Sequence, residues 1–461
     1  MFRCRSVFTV STRNGACAVQ RVFEFVRNQS TTTDTKMACN PSANKYPLPK
    51  RYGPGEKSVW VEYIQLVLDH KPPVNLGQGF ADYFPPKSVT SALTKVSNSD
   101  NPLLHQYTRG FGHPRLVQGL SKLYSPIIGR TIDPQNEIIV TTGAYEALFA
   151  AILGHVDTGD EVIMIEPYFD CYESMVKTAG GIPRFIPLAP KSKGSCSSAD
   201  WVLDEKKLRS LFNSKTKMLI FNTPNNPLGK VFTMEETQMI ANLCKEHDVI
   251  CVSDEVYQWM VYAPNKHVSI ASLPDMWDRT ITIGSAGKSF SVTGWKIGWA
   301  YAPASLIRNL QVVHQNCVYN CCTPIQEAIA ISLEEELARR DSPECIFNSI
   351  ATELLAKRDY VVRMLRENGF NPTVPEGGFF IMAEWTDLNK KIDLSSEKDK
   401  YKDYKFTKKF AKESGVLTIP TSAFYSAEHK HMGEDYARFC FIKVRATHFW
   451  FRWDDYHKNF M

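Results

Sequence analysis

Between residues 137 and 290 the chain repeats one pattern, and that pattern narrows its fold more than any other feature. A short apolar, β-branched run leads into a turn, and a longer helical stretch follows. "EIIVTTGAYEALFAAILGHV", "DEVIMIEPYFDCYESMVKTAG", "KMLIFNTPNNPLGKVFTMEETQMIANLCKEH" and "DVICVSDEVYQWMVY" all read this way, and "RTITIGSAGKSF" closes the series. Continuous Val/Ile/Met runs alternating with helices predict an α/β protein whose mostly parallel sheet is covered on both faces. Such sheets collect ligands at the carboxyl ends of their strands. The residues following each run are therefore the candidates: Gly143-Ala144-Tyr145, Tyr168-Phe169, Asn225-Asn226, Asp254 with Tyr257, and Ser285 with Lys288.

Other features narrow the class. A chain of 461 residues divides into two or three domains or subdomains. No apolar run approaches the roughly 20 residues that span a bilayer, so no membrane partner is expected. The formal charge is +5, but residues 1–36 hold six Lys/Arg against Glu24 and Asp34, a net +4. That leaves +1 for the remainder, too little to signal nucleic acid. The same leader is rich in Arg, Ser and Thr and poor in acids, the composition of a mitochondrial transit peptide directing the chain to the matrix. Met37 offers a second start for a cytosolic form. Twelve cysteines include no Cys-x-x-Cys pair. The cluster "HQNCVYNCC" at 314–322 lacks the paired ligand spacing of structural zinc, so no metal is expected and the thiols read as reduced.

After residue 335 come two amphipathic helices, the second long, then "NPTVPEGGFFIMAEW". A charged insert at 389–409, read as a solvated surface insertion, precedes the strand-like "GVLTIP" and "YARFCFIKV". This run predicts a smaller α+β domain. Residues 40–90, rich in Pro and Gly, read as an arm and part of that domain.

Lys288 closes an apolar run, where a lysine is unexpected. A phosphate-binding Gly-rich loop fails, since the glycine required five residues before Gly287 is Thr282. A partly desolvated lysine near other cations is instead a nucleophile toward an aldehyde. Pyridoxal phosphate uses such a lysine and wants an acid opposite its ring nitrogen, for which Asp254 is placed. Tyr257 and Asn226 can serve the ring's phenolate oxygen, Phe169 its face, and the "TTGAYEAL" turn with Ser285 and Lys296 its phosphate. Singly each has a plainer reading: Asp254 as a helix cap, "TPNNP" as a turn, Phe169 as core, Lys296 as surface.

The stretches "PNNPLGK", "SDEVY", "SAGKSFSVTGWKIGW" and "RFCF" closely resemble fold-type I aminotransferases. "VNLGQGFADYFPP", "QYTRGFG", "EPYFDCYE" and "TPIQEAIA" are similar to the kynurenine aminotransferases, also called glutamine transaminase K or cysteine-S-conjugate β-lyase. The resemblance runs from about residue 45 to 443. It implies a large domain with a mostly parallel seven-stranded sheet between helices, a smaller α+β domain and an N-terminal arm. The boundaries so implied are a leader at 1–36, the arm and part of the small domain at 37–90, a pyridoxal-phosphate domain at 91–334 and a small domain at 335–461.

By the same resemblance Lys288 is the catalytic lysine that anchors pyridoxal 5'-phosphate, and Asp254 the partner of its ring nitrogen. Asn226 and Tyr257 would bind the phenolate oxygen, and Ser285, Lys296 and the backbone of Ala144 and Tyr145 the phosphate. Arg438 would clamp the substrate carboxylate, with Trp60, Gly79 and Asn226 lining the amino-acid pocket. Tyr107 would reach across a homodimer interface to the cofactor. The implied reaction is transamination of kynurenine and other aromatic or glutamine-like amino acids with a 2-oxo acid, with β-lyase side activity. Alanine/aspartate-type specificity and a catalytically silent relative are the alternatives. The chain departs from the family at Ala81, Tyr83 and Asn320, and in the aromatic tail 444–461.

Overall fold

The computed structural model describes residues 46, 48–49, 52, 58–192, 196–388 and 392–443. The leader, Met37 and the tail 444–461 lie outside the described residues. The chain falls into two units, Met1–Pro49 and Lys50–Met461.

The second unit is built on a seven-stranded sheet: β1 Ile138–Thr141, β2 Glu161–Glu166, β3 Ile182–Pro187, β4 Thr216–Asn222, β5 Ile250–Asp254, β6 Thr280–Ser285 and β7 Gly298–Tyr301. Their order across the sheet is β1-β7-β6-β5-β4-β2-β3. Only β7 runs against its neighbours; the other pairs are parallel. β1, β2 and β6 are buried at every residue, as expected of strands covered on both faces. The chain moves outward in one direction from β4 to β6 and in the other from β2 to β3. This reversal is the topological switch at which α/β sheets open a crevice. Register sets Asn222 beside Asp254 and Asp254 beside Ile283, so neighbouring carboxyl ends arrive at one level.

Two strands escape a reading based on apolar runs. β3 is an edge strand with alternating exposure and two prolines, and edges tolerate proline. β7 is the four residues "GWAY". There Trp299 lies opposite Gly284, where a Cβ would come within 2.1 Å of the indole nitrogen. Glycine at 284 is what lets the ring pass.

Two expectations are corrected. The strand–helix pattern read in "DVICVSDEVYQWMVY" stops at Asp254, because a turn rather than a helix carries Val256 and Tyr257. Asp254 accepts from the Val256 amide at 3.3 Å, a local bond that favours a turn over a helix. The insert at 389–409 is not wholly a solvated surface. Lys402–Ser414 is a helix whose Phe406 and Phe410, one turn apart, enter the core, while Asp403 is fully buried. Charge density hid an amphipathic period.

A four-stranded antiparallel sheet contains Asn371–Pro372, Phe380–Glu384, Tyr436–Cys440 and Ile419–Pro420. The helices Thr323–Ala338 and Ile346–Glu367 precede it. Val74–Asn75 pairs in parallel with Val416–Leu417, tying the segment after the helix Val59–His70 to this region. Ser58 caps that helix through the Trp60 amide, which fixes where Trp60 begins. Among the described residues no helix is long and apolar enough to cross a membrane, and the cysteines are free thiols.

Candidate active site

A cavity of 390 Å³ opens at the carboxyl ends of the sheet. Lys288, Asp254, Asn226, Tyr257, Ser285, Lys296, Ala144, Tyr145, Phe169, Trp60, Gly79 and Arg438 line it; of the strand-end candidates Tyr168 and Asn225 do not, Tyr168 donating to Glu173 at 2.6 Å and Asn225 to the Pro167 carbonyl at 3.1 Å. Tyr107 is 80% exposed and packs edge-on against Tyr319, at 5.6 Å between ring centroids. This chain does not bring Tyr107 into its own cavity.

Lys288 follows β6 in the short helix Ala286–Ser289. Its Nζ donates to the Gly79 carbonyl at 3.1 Å and lies 5.5 Å from the Tyr257 ring centre. Burial pushes the amine down to about 8; Arg438 and Lys296 push the same way, while Cys440 and Asp254 oppose them. A substantial neutral fraction therefore exists near neutral pH, as a nucleophile or general base requires. Gly79 is sterically required, since a Cβ there would sit 2.5 Å from Phe380 Cζ.

Asp254, last in β5, is buried and accepts from the Tyr172 hydroxyl at 2.6 Å. Burial raises its carboxyl pKa, and the Tyr172 bond opposes that rise. No cation forms an ion pair with it among the described residues. A protonated ring nitrogen would supply the missing charge.

The opposite end of the cavity is built for an anion. The helix Gly143–His155 starts there, and its first amides lack intrahelical acceptors. A Cβ at Gly298 would lie 2.3 Å from the Ala144 nitrogen, and one at Gly143 (φ +76°) 3.2 Å from Lys296 Nζ. Lys296 itself adopts φ +55°, a strained conformation for a side-chain-bearing residue. It sets an ammonium beside the positive end of a helix, unfavourable unless an anion lies between. Ser285 adds a hydroxyl to this wall. A ring-nitrogen acid, a depressed lysine and an anion cradle within one cavity fit pyridoxal phosphate.

Arg438 reaches in from Tyr436–Cys440, only 1% exposed. It donates to Asn226 Oδ1 at 3.1 Å and to the Gly77 carbonyl at 2.7 Å, while its Nε has no partner. Burial lowers its pKa to about 10, leaving it charged at neutral pH. A buried guanidinium whose contacts are neutral acceptors is an open seat for a carboxylate.

Two functional contacts were missed in the sequence. Tyr172 was signalled by its place three residues after Phe169. Asp170 accepts from Trp60 Nε1 at 2.9 Å and fixes that indole in the wall; nothing local signals a bond spanning 110 residues. His314 and Cys321 of the cysteine-rich cluster do approach each other, joined by Glu146, with ligand atoms within 4.8 Å. Both imidazole nitrogens are already hydrogen-bonded, to Glu146 and to the Gly110 carbonyl.

Residues 71–444 match the family model of aminotransferase class I and II. Kynurenine–oxoglutarate transaminase 3 of Bos taurus is 52% identical over 396 residues, covering 85% of this chain and 86% of the relative. Kynurenine–oxoglutarate transaminase 1 of Homo sapiens is 45% identical over 392 residues, covering 84% and 92%. Among solved structures, Bna3p of Saccharomyces cerevisiae superposes with a TM-score of 0.82 at 31% identity, covering 90% of this chain and all of that one.

Proposed function

This chain belongs to the aminotransferase class I and II family, and on that premise we propose that it transaminates kynurenine and other aromatic or glutamine-like amino acids. A 2-oxo acid is the acceptor and pyridoxal phosphate, which this family generally uses, is the cofactor. The observation that carries this reading is Arg438, buried, charged and without a carboxylate partner, in a cavity walled by Trp60, Phe169, Tyr257 and Phe380. The relatives named for kynurenine support the choice of donor.

In this reading Lys288 anchors the cofactor, Asp254 holds a proton on the ring nitrogen, and Lys296, Ser285 and the helix start hold the phosphate. Bound pyridoxal phosphate supplies an electron sink for the pair left when the Cα–H bond breaks. Arg438 grips the donor's carboxylate through its fork, fixing Cα relative to Lys288. As a free amine of depressed basicity, Lys288 Nζ would take the proton from Cα and return one when the acceptor occupies the site. Tyr172 holds the Asp254 carboxylate in place. Trp60, Phe169, Tyr257 and Phe380 give the donor's side chain an aromatic wall.

The same carbanion chemistry extends to β-elimination from cysteine conjugates bearing a good leaving group. The composition of residues 1–36 supports mitochondrial import. The exposure of Tyr107 supports a homodimer in which that residue completes the neighbouring site.

The test is a donor screen with kynurenine, glutamine, aspartate and alanine against several 2-oxo acids, plus a cysteine S-conjugate assayed for keto-acid release. Kynurenine and glutamine are expected to lead in kcat/KM. Preference for aspartate or alanine would overturn the donor assignment, and a colourless protein that turns over none of them would overturn the enzymatic reading.

A further inference from the structure

Glu146 stands fourth in the helix whose start forms the anion cradle. Its carboxylate accepts the Thr142 amide, just before the glycine that faces Lys296. A bare carboxylate at this position would oppose the positive field that a phosphate needs. The residue that meets it comes from another helix, Ala304–Cys317. This helix packs so closely that a Cβ on Gly154 would lie 3.1 Å from the Asn309 backbone. From it His314, fully buried, brings Nδ1 to 2.6 Å from Glu146 Oε1 and Nε2 to 3.0 Å from the Gly110 carbonyl.

Proton counting fixes the charge of this unit. A neutral imidazole has one N–H, yet both nitrogens of His314 face acceptors. Satisfying both contacts takes one further proton. The ring is then doubly protonated against a carboxylate, or it is neutral and accepts from a protonated Glu146. Either way the pair carries no net charge. Cys321 stands beside it, its Sγ 3.6 Å from both the Val140 carbonyl and the Thr142 hydroxyl.

We propose that His314 and Glu146 form a proton-sharing, net-neutral positioning pair that orders the phosphate-binding turn without offering it a negative charge. Glu146 holds the Thr142 amide and leaves the next amides to the ligand. His314 cancels the charge of Glu146 and, through Gly110, locks the loop after Tyr107 to the same turn. Neither residue touches the substrate. Their effect is on affinity for the phosphate group.

This inference rests on the cofactor reading, and the experiment separates the two. Binding of pyridoxal phosphate and of unphosphorylated pyridoxal to the cofactor-free protein is measured by absorbance titration, with the 31P resonance of the bound phosphate as a second readout. His314→Gln leaves Glu146 uncompensated; it should weaken pyridoxal phosphate roughly 5- to 10-fold, as one unscreened charge near the site would, and leave pyridoxal within about twofold. The 31P resonance should shift. Adding Glu146→Gln to that variant should restore pyridoxal phosphate affinity to within about twofold of wild type. Equal weakening of both ligands, no weakening, or no recovery in the double variant would overturn the proposal. Should His314→Gln not fold, Glu146→Gln alone decides: unchanged or tighter pyridoxal phosphate binding supports the pair, and weaker binding overturns it. Wild-type protein that binds neither ligand would overturn the cofactor reading and this inference with it.

Discussion

Asp403 and Arg438 are both sealed from water, yet the surroundings treat them in opposite ways. Asp403, in the helix Lys402–Ser414, accepts from the Ser422 amide at 2.7 Å, the Ser422 hydroxyl at 3.0 Å and the Tyr404 amide at 3.0 Å. Its valence is spent on holding Thr421–Phe424 against the helix. Arg438 meets a carbonyl and an amide oxygen and keeps one nitrogen unused. Lys288 is similar, with one bond to a carbonyl. A buried titratable group that serves the fold is saturated with donors or acceptors. Buried charge at the rim of the seven-stranded sheet is left open toward a cavity, a cost to stability that persists where a ligand completes the set.

The sharpest way to break this contrast is Arg438→Met. It removes an open charge, so cofactor-free protein should melt at the same temperature or higher, while kcat/KM for amino acids falls roughly 1000-fold. A large drop in melting temperature would show that Arg438 is structural after all. The converse case is Asp403. Its folded pKa is raised, chiefly by burial, to about 7. The folded state therefore holds a proton that the unfolded chain gives up near 4. Its stabilising contribution is present at low pH and fades as pH rises through the folded value. Chemical denaturation should show wild type losing about 2 kcal/mol relative to Asp403→Asn between pH 5 and 7. A flat difference would show that the Ser422 and Tyr404 bonds offset burial and keep the carboxylate ionised in the fold. The smallest effect is expected from Tyr172→Phe, which deletes one bond to a rim carboxylate. Pyridoxal phosphate should be retained roughly fivefold less tightly, with stability nearly unchanged.

The same contrast explains what could be read in the sequence. Thr141, Glu166, Asn222, Asp254 and Ser285 end strands buried on both faces, and such strands appear in sequence as continuous apolar runs. Ala144, Phe169, Asn226, Tyr257 and Lys288 follow these runs directly and are legible for that reason. Arg438 and Trp60 lie outside that repeat and entered only through family resemblance. Asp170 and the Glu146–His314 pair were not legible, because they are set by packing between elements more than a hundred residues apart. The helix Lys402–Ser414 was hidden for another reason: its lysines outnumber the two phenylalanines and the aspartate that face inward.

The central claim is that Lys288, and not its neighbour Lys296, is the covalent anchor at the strand end. Cofactor-free protein is incubated with pyridoxal phosphate, reduced with borohydride, digested and mapped by mass spectrometry. The phosphopyridoxyl group is expected on Lys288 and should be lost in Lys288→Ala, with Lys296 unmodified. Labelling of Lys296, or undiminished labelling and turnover in Lys288→Ala, would contradict the assignment.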